Sequence, residues 1–249
     1  MSRRTLAVIL AVLCLVGPLG HAAAPDPAAP GMWELVWSDE FDGDELDGSK
    51  WNRIVGGGGY GNNESQYYTG EPENVVVEDG CLVITARKQS RDGHDYTSAK
   101  LSTEGKGAWT YGRYDVRARL PLGQGIWPAI WMMPSDLERY GSWPSCGEID
   151  IMELVGHAPS TVYGSLHFGE PWKNIGGAYS LEDGTTFADA FHDFTLVWAP
   201  GEMAWYVDGI HFLTKTNWYT SADGARWPAP FDRDFYLQLN VAVGGNWPQ

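Results

Sequence analysis

Basic side chains, cysteine and helical periodicity are all scarce in this sequence. Lys and Arg number 17 against 32 Asp and Glu, a formal net charge of −15. A field of that sign repels phosphate backbones and anionic headgroups, which excludes nucleic acid and membrane surfaces as partners and suits a neutral substrate. Cysteine occurs three times. Neither CxxC nor HExxH is present, so no zinc-binding spacing arises. After the N-terminal stretch no apolar run reaches the roughly 18 residues that a membrane-spanning helix needs. Neither a repeat nor an internal linker interrupts residues 32–249, which predicts one domain there.

The one long apolar run lies at the start. Arg3 and Arg4 precede apolar residues 6–16, then come Gly17, Pro18 and the small residues Ala22, Ala23 and Ala24. This order is that of a secretory signal peptide over residues 1–24, with a Pro/Ala-rich leader over 25–31. A secreted, extracellular protein is expected. Cys81 and Cys146 lie beyond that segment. An oxidising compartment would allow them to pair, but the sequence does not place them within bridging range.

What is plentiful is Gly (31), Pro (15), Trp (13) and Tyr (12). Gly and Pro favour a turn-rich fold, and so many flat rings suit stacking on sugar faces as well as core packing. Strands are expected over residues 74–78 and 81–87, joined at Asp79-Gly80. Residues 111–120 alternate, with Tyr114, Val116, Ala118 and Leu120 on one face and Arg113, Asp115, Arg117 and Arg119 on the other. Residues 194–198 and 203–207 flank Pro200-Gly201, and 235–243 form one more strand. The fold class read from this is all-β, a sandwich or jelly roll. Gly56 to Gly61 satisfies GxGxxG but opens no helix, so it reads as a loop and not as a dinucleotide site.

The chemical centre is Gly147-Glu148-Ile149-Asp150-Ile151-Met152-Glu153-Leu154. Glu148 and Asp150 share a face of a strand. Glu153, five positions after Glu148, would point the other way unless a β-bulge near Ile151-Met152 brings it back. Clustered carboxylates split their proton affinities. Glycoside hydrolysis needs that split, an ionised group beside a protonated one. The plainer alternative is a solvated acidic strand face.

This heptapeptide resembles the signature of glycoside hydrolase family 16, in its bulged laminarinase branch. Further matching stretches are residues 35–41, 61–64, 66–69, 96–99, 127–132 and 244–248. The resemblance implies a jelly-roll β-sandwich with a concave substrate cleft. It implies Glu148 as nucleophile, Glu153 as general acid/base and Asp150 as a helper between them. It also implies Trp127 and Trp131 on the donor side of the cleft, Trp247 as another platform, Asn62 as a polar contact and His167 beside the acids. Lys100 stands where the family commonly has Arg, a point charge in place of a planar fork. No cofactor is implied for catalysis. A structural calcium is implied at Glu40 and the carbonyl of Gly80. The family's last C-terminal strand is expected to be lacking beyond Gln249. The implied activity is endo-hydrolysis of 1,3-β-glucans by a monomer. The alternatives are a mixed-linkage glucan or galactan as substrate, or glucan recognition without catalysis.

Overall fold

Asp79 and Gly80 both adopt positive φ, 52° and 70°, the conformation of a two-residue hairpin turn. They join two of the strands expected from the sequence. The computed structural model describes residues 33–182 and 184–248, and residues 8–16 by their backbone. In chain order the first strands are β1 (Val8–Val16), β2 (Glu34–Asp39), β3 (Asn52–Ile54), β4 (Gln66–Tyr68), β5 (Val75–Glu78), β6 (Cys81–Ile84) and β7 (Arg87–Arg91). There follow β8 (His94–Ser98), β9 (Lys100–Ser102), β10 (Ala108–Trp109), β11 (Gly112–Arg119), β12 (Ile126–Pro134) and β13 (Glu148–Leu154). The last are β14 (Thr161–Phe168), β15 (Lys173–Ser180), β16 (His192–Ala199), β17 (Glu202–Val207), β18 (Ile210–Lys215) and β19 (Phe235–Val243). Among the described residues there is no α-helix, and no helix is long and apolar enough to cross a membrane.

Two large sheets form a jelly-roll sandwich. One runs β15-β14-β13-β12-β19-β9-β3, with β10 also pairing β19. The other runs β18-β17-β16-β11-β1-β6-β5, with β2 also pairing β1. β1 falls inside the segment read as a signal peptide. It pairs antiparallel with β11 on one side and with β6 and β2 on the other. In one molecule that position and removal of the leader exclude each other. Residues 1–7 and 17–31, the rest of the expected signal peptide and leader, lie outside the described residues.

The core sits between the sheets and follows from alternation. Ile130 and Met132 of β12, Val162, Leu166 and Phe168 of β14, and Leu237, Leu239, Val241 and Val243 of β19 point inward. They meet Tyr114, Val116, Ala118, Phe194, Leu196, Met203 and Trp205 from the opposite sheet. The outward residues of the first sheet are thereby free to build a cleft. Cys81 and Cys146 are both free thiols, the second buried.

β13 breaks the alternation as the sequence requires. Against β14, Asp150 pairs with Ser165 and Glu153 with Tyr163. Ile151 and Met152 thus lie opposite the single residue Gly164, which defines a bulge. β12 shows the same extra residue, pairing Ile130 with Met152 and Trp131 with Asp150. Both Ile151 and Met152 enter the core. Beneath the bulge lies the fully buried Trp205, whose indole N–H donates to the Asp150 carbonyl at 2.9 Å. That approach needs a glycine at 164, because a Cβ there would come within 2.5 Å of Trp205 Cδ1. Gly164→Ala is therefore expected to cost about 1–3 kcal/mol by overpacking, measured as a lower urea midpoint at unchanged m-value.

Candidate active site

The bulge turns Glu148, Asp150 and Glu153 onto the outer face of the first sheet. There they line a cleft of about 790 Å³. Asp150 is held most firmly. Ser165 Oγ of β14 donates to its Oδ2 at 2.5 Å, and His167 Nε2 lies 3.3 Å from the same oxygen. Each glutamate takes an indole donor: Trp143 Nε1 to Glu148 Oε2 at 2.9 Å, and Trp127 Nε1 to Glu153 Oε1 at 2.9 Å. Trp127 is one strand away on β12, where residues 127, 129, 131 and 133 all face the cleft.

Burial raises the pKa of both glutamates, and the charge of Asp150 raises it further. Glu153 also feels the charge of Glu148. Glu148 is eased by His167, by the Trp143 hydrogen bond and by Lys100. The nearby ammonium of Lys100 favours the ionised form of Glu148, and His167 and the Trp127 hydrogen bond ease Glu153. For His167, burial opposes a charge. The Asp150 hydrogen bond and the nearby acids outweigh it and lift the ring to about 9. Glu148, Asp150 and His167 each bring a ligand-type atom to within 4.8 Å of one another. Those atoms already meet Ser165, Trp143 and Trp172, and hydrolysis by paired carboxylates needs no ion. The cluster therefore reads as proton machinery.

The other residues expected from the sequence share this cleft: Asn62, Lys100, Trp127, Trp131, His167 and Trp247 all line it. Trp247 stands edge-on to Trp127 with centroids 5.5 Å apart, and it also packs on Tyr163. Trp131 shares the face of Trp127, but its ring is covered by the ammonium of Lys100 at 4.4 Å. Tyr60 lies 5.1 Å from the same ammonium. Burial pulls Lys100 down to about 8, against the opposing pull of Glu64, Glu148 and Glu104. Glu40 and Gly80 do not line the cleft; both are exposed.

Sequence reasoning missed Trp143, Trp172, Tyr60 and Glu64. Trp143 and Trp172 sit in loops, outside any alternation that would assign them a face. In the sequence Glu64 belongs to the matching stretch 61–64 but is given no role there. In the fold it accepts from Gln66 Nε2 at 2.6 Å and from the Tyr68 hydroxyl at 3.3 Å, and burial raises its pKa. The sequence did carry one signal for it: the repeated Gly before Asn62, which lets that loop fold onto the cleft.

Trp127→Phe keeps a ring but removes the donor that stabilises the Glu153 carboxylate. Glu153 should then hold its proton to higher pH. The basic limb of the pH profile of kcat/KM is expected to move upward, and a downward move would contradict the assignment of Glu153 as the acid.

Comparison with known proteins agrees with this geometry. The chain is 46% identical over 255 residues to a beta-glucanase of Rhodothermus marinus, covering 99% of this chain and 87% of that protein. It is 44% identical over 242 residues to glucan endo-1,3-beta-glucosidase A1 of Niallia circulans, covering 89% of this chain but only 35% of that protein. The X-ray structure of the laminarinase from Rhodothermus marinus superposes with a TM-score of 0.79 at 46% identity, covering 87% of this chain and 88% of that one. Residues 62–249 match the family model described as glycosyl hydrolases family 16. With the bulged acid strand in place and more than half of its length matched, the chain belongs to glycosyl hydrolases family 16.

Proposed function

We propose that the protein is a retaining endo-hydrolase of 1,3-β-glucans, acting by double displacement. The observation that carries this reading is the bulge that sets Glu148 and Glu153 on one face of β13, either side of Asp150, on the floor of a Trp-walled cleft. Trp143 occupies Glu148 Oε2, which leaves Oε1 to attack the anomeric carbon. Glu153 gives its proton to the glycosidic oxygen as the C–O bond breaks, and the leaving chain departs as an alcohol. Glu153, now a carboxylate, takes a proton from water. The water oxygen displaces Glu148 from the glycosyl ester and restores both groups. Two inversions retain the configuration. The cleft reaches from Asn62 beyond one side of the acids to Trp172 and Asn174 beyond the other. Chain can therefore lie on both sides of the cut, which suits internal cleavage.

The 1,3 linkage is supported by likeness to the laminarinase and endo-1,3-beta-glucosidase above. Presence of both glutamates weighs against recognition without catalysis. Initial rates on laminarin, barley glucan, cellulose and agarose test the reading, with laminarin expected to be cut fastest. Glu148→Gln and Glu153→Gln should each lower kcat by about 10²–10⁴-fold in folded protein. Cellulose or agarose as the fastest substrate would reject the linkage, and near-normal activity in either variant would reject the mechanism.

Export is part of the proposal, supported by the Arg3-Arg4, apolar and Ala22–Ala24 order. N-terminal sequencing of the protein recovered from the medium is expected to start at Pro25. Recovery of chains starting at Met1 would mean that β1 is retained as a strand. A structural calcium at Glu40 and Gly80 finds less support. Calcium takes six to eight oxygens, and among the described residues Glu40 joins no group of three acidic, His or Cys ligand atoms. Glu40 and the carbonyl of Gly80 would supply two of those oxygens.

A further inference from the structure

Trp143 belongs to the loop over residues 135–147, which joins β12 to β13. About half of it is exposed, and its ring lies against His167 and Trp172 with centroids 6.1 and 5.9 Å away. An indole so placed relies on its loop to keep the N–H on Glu148 Oε2. Within the loop, Gly141 N–H donates to the Glu138 carbonyl at 3.3 Å, Cys146 N–H to the Ser142 carbonyl at 3.3 Å and Gly147 N–H to the Pro144 carbonyl at 3.0 Å. These local bonds shape the loop but do not tie it to the rest of the fold.

Arg233, in the segment just before β19, bonds both ends of that loop. It is buried. Its Nη1 donates to the carbonyl of Asp136, and its Nη2 donates to the carbonyl of Cys146 at 2.6 Å. A buried cation needs acceptors, and the planar fork of a guanidinium can hold two at once. The middle of the loop rests on the same group. The Tyr140 ring covers the guanidinium at 4.7 Å, and the Tyr140 hydroxyl donates to Asp232 Oδ2 at 2.8 Å. Beside Cys146, Gly147 passes so near Phe231 that a Cβ there would lie 2.9 Å from Cε1. Single further bonds come from Ser135 N–H to the Asp234 carbonyl at 2.9 Å and from Thr220 Oγ1 to the Ser145 carbonyl at 3.3 Å.

We propose that Arg233 is a positioning residue for the reaction proposed above, on which its chemical meaning rests: the guanidinium closes the loop over 135–147 at its base and so holds the Trp143 N–H on Glu148 Oε2, leaving Oε1 to attack. The effect travels through geometry. The charge of Arg233 bears on the Cys146 thiol. Glu148 is faced by Asp150 and Glu153 from its own strand, by His167 from β14 and by Lys100 from β9. Cys146 and Tyr236 feel its charge in turn. If the loop drifted, all of these would stay in place, and the carboxylate would lose its indole donor alone. Glu148 would then hold its proton to higher pH.

Arg233→Lys keeps the charge and loses the fork. With ¹⁵N-labelled tryptophan, the Trp143 indole signal is assigned by its loss in Trp143→Phe. In the wild type that signal should lie where a hydrogen-bonded N–H does and shift with pH as Glu148 titrates, a shift missing from Glu148→Gln. In Arg233→Lys it should move to the position of a free indole and stop following Glu148. On laminarin the acidic limb of the kcat/KM profile should rise by about one pH unit in Arg233→Lys and in Trp143→Phe, and no further in the double variant. A folded Arg233→Lys with a lower Tm and an unmoved Trp143 signal would overturn the proposal, as would limb shifts that add. So would a wild-type signal indifferent to Glu148, which can be measured even if the variant fails to fold. The spectra need no substrate, so inactivity on laminarin would count against the glucanase reading and leave the tie between Arg233 and Trp143 standing.

Discussion

A regular strand sends residues five apart to opposite faces of a sheet. The extra residue in β13 cancels that rule once, between Asp150 and Glu153, and the active site depends on the cancellation. It puts two consecutive apolar residues, Ile151 and Met152, into the core and three acids on the other side. Both neighbouring strands register the irregularity. Trp205 bonds to the backbone at its start, and Gly164 leaves space for that indole. Catalytic geometry and core packing are here two faces of the same few residues.

Placing three carboxylates together in a buried strand is costly unless donors surround them. Here the donors to both glutamates are indole N–H groups. Trp143 serves Glu148, Trp127 serves Glu153 and Trp172 reaches the cluster through His167. An indole N–H gives a hydrogen bond without adding a full charge or a titratable proton, so it eases a carboxylate without neutralising it. This accounts for part of the abundance of Trp. Other indoles, such as Trp51, Trp198 and Trp205, are fully buried and serve the core.

Much of the fold was legible because alternation and turn chemistry are local. The Asp79-Gly80 hairpin, the two-faced β11 and β19 at residues 235–243 all form where the pattern placed them. The bulge was legible too, since the spacing of the acids on one strand demands it. What local patterns do not encode is which loop residues fold over the acids. Trp143 and Trp172 lie outside any periodic segment, and their roles arise only once β13, β14 and β15 are neighbours. Lys100 is an intermediate case. Its place in the cleft followed from the resemblance, but its position over the Trp131 ring came from packing. The pairing of β1 with β11 was not foreseen, because an apolar run at a chain start reads as an export signal before it reads as a strand.

The extra residue also has a bearing on how this strand can change length. Deleting either Ile151 or Met152 would move the second glutamate from five to four positions after Glu148. Four is an even spacing, so an unbulged strand would still present both carboxylates on the same side. The core would lose one apolar side chain, while the reacting groups would keep their face. Most single-residue deletions within a strand reverse everything downstream of them. Here the reversal is already built in, and a deletion removes it. The segment that carries the chemistry is thus compatible with two lengths, and a lineage could pass from one to the other without going through an ancestor that had turned a catalytic acid inward.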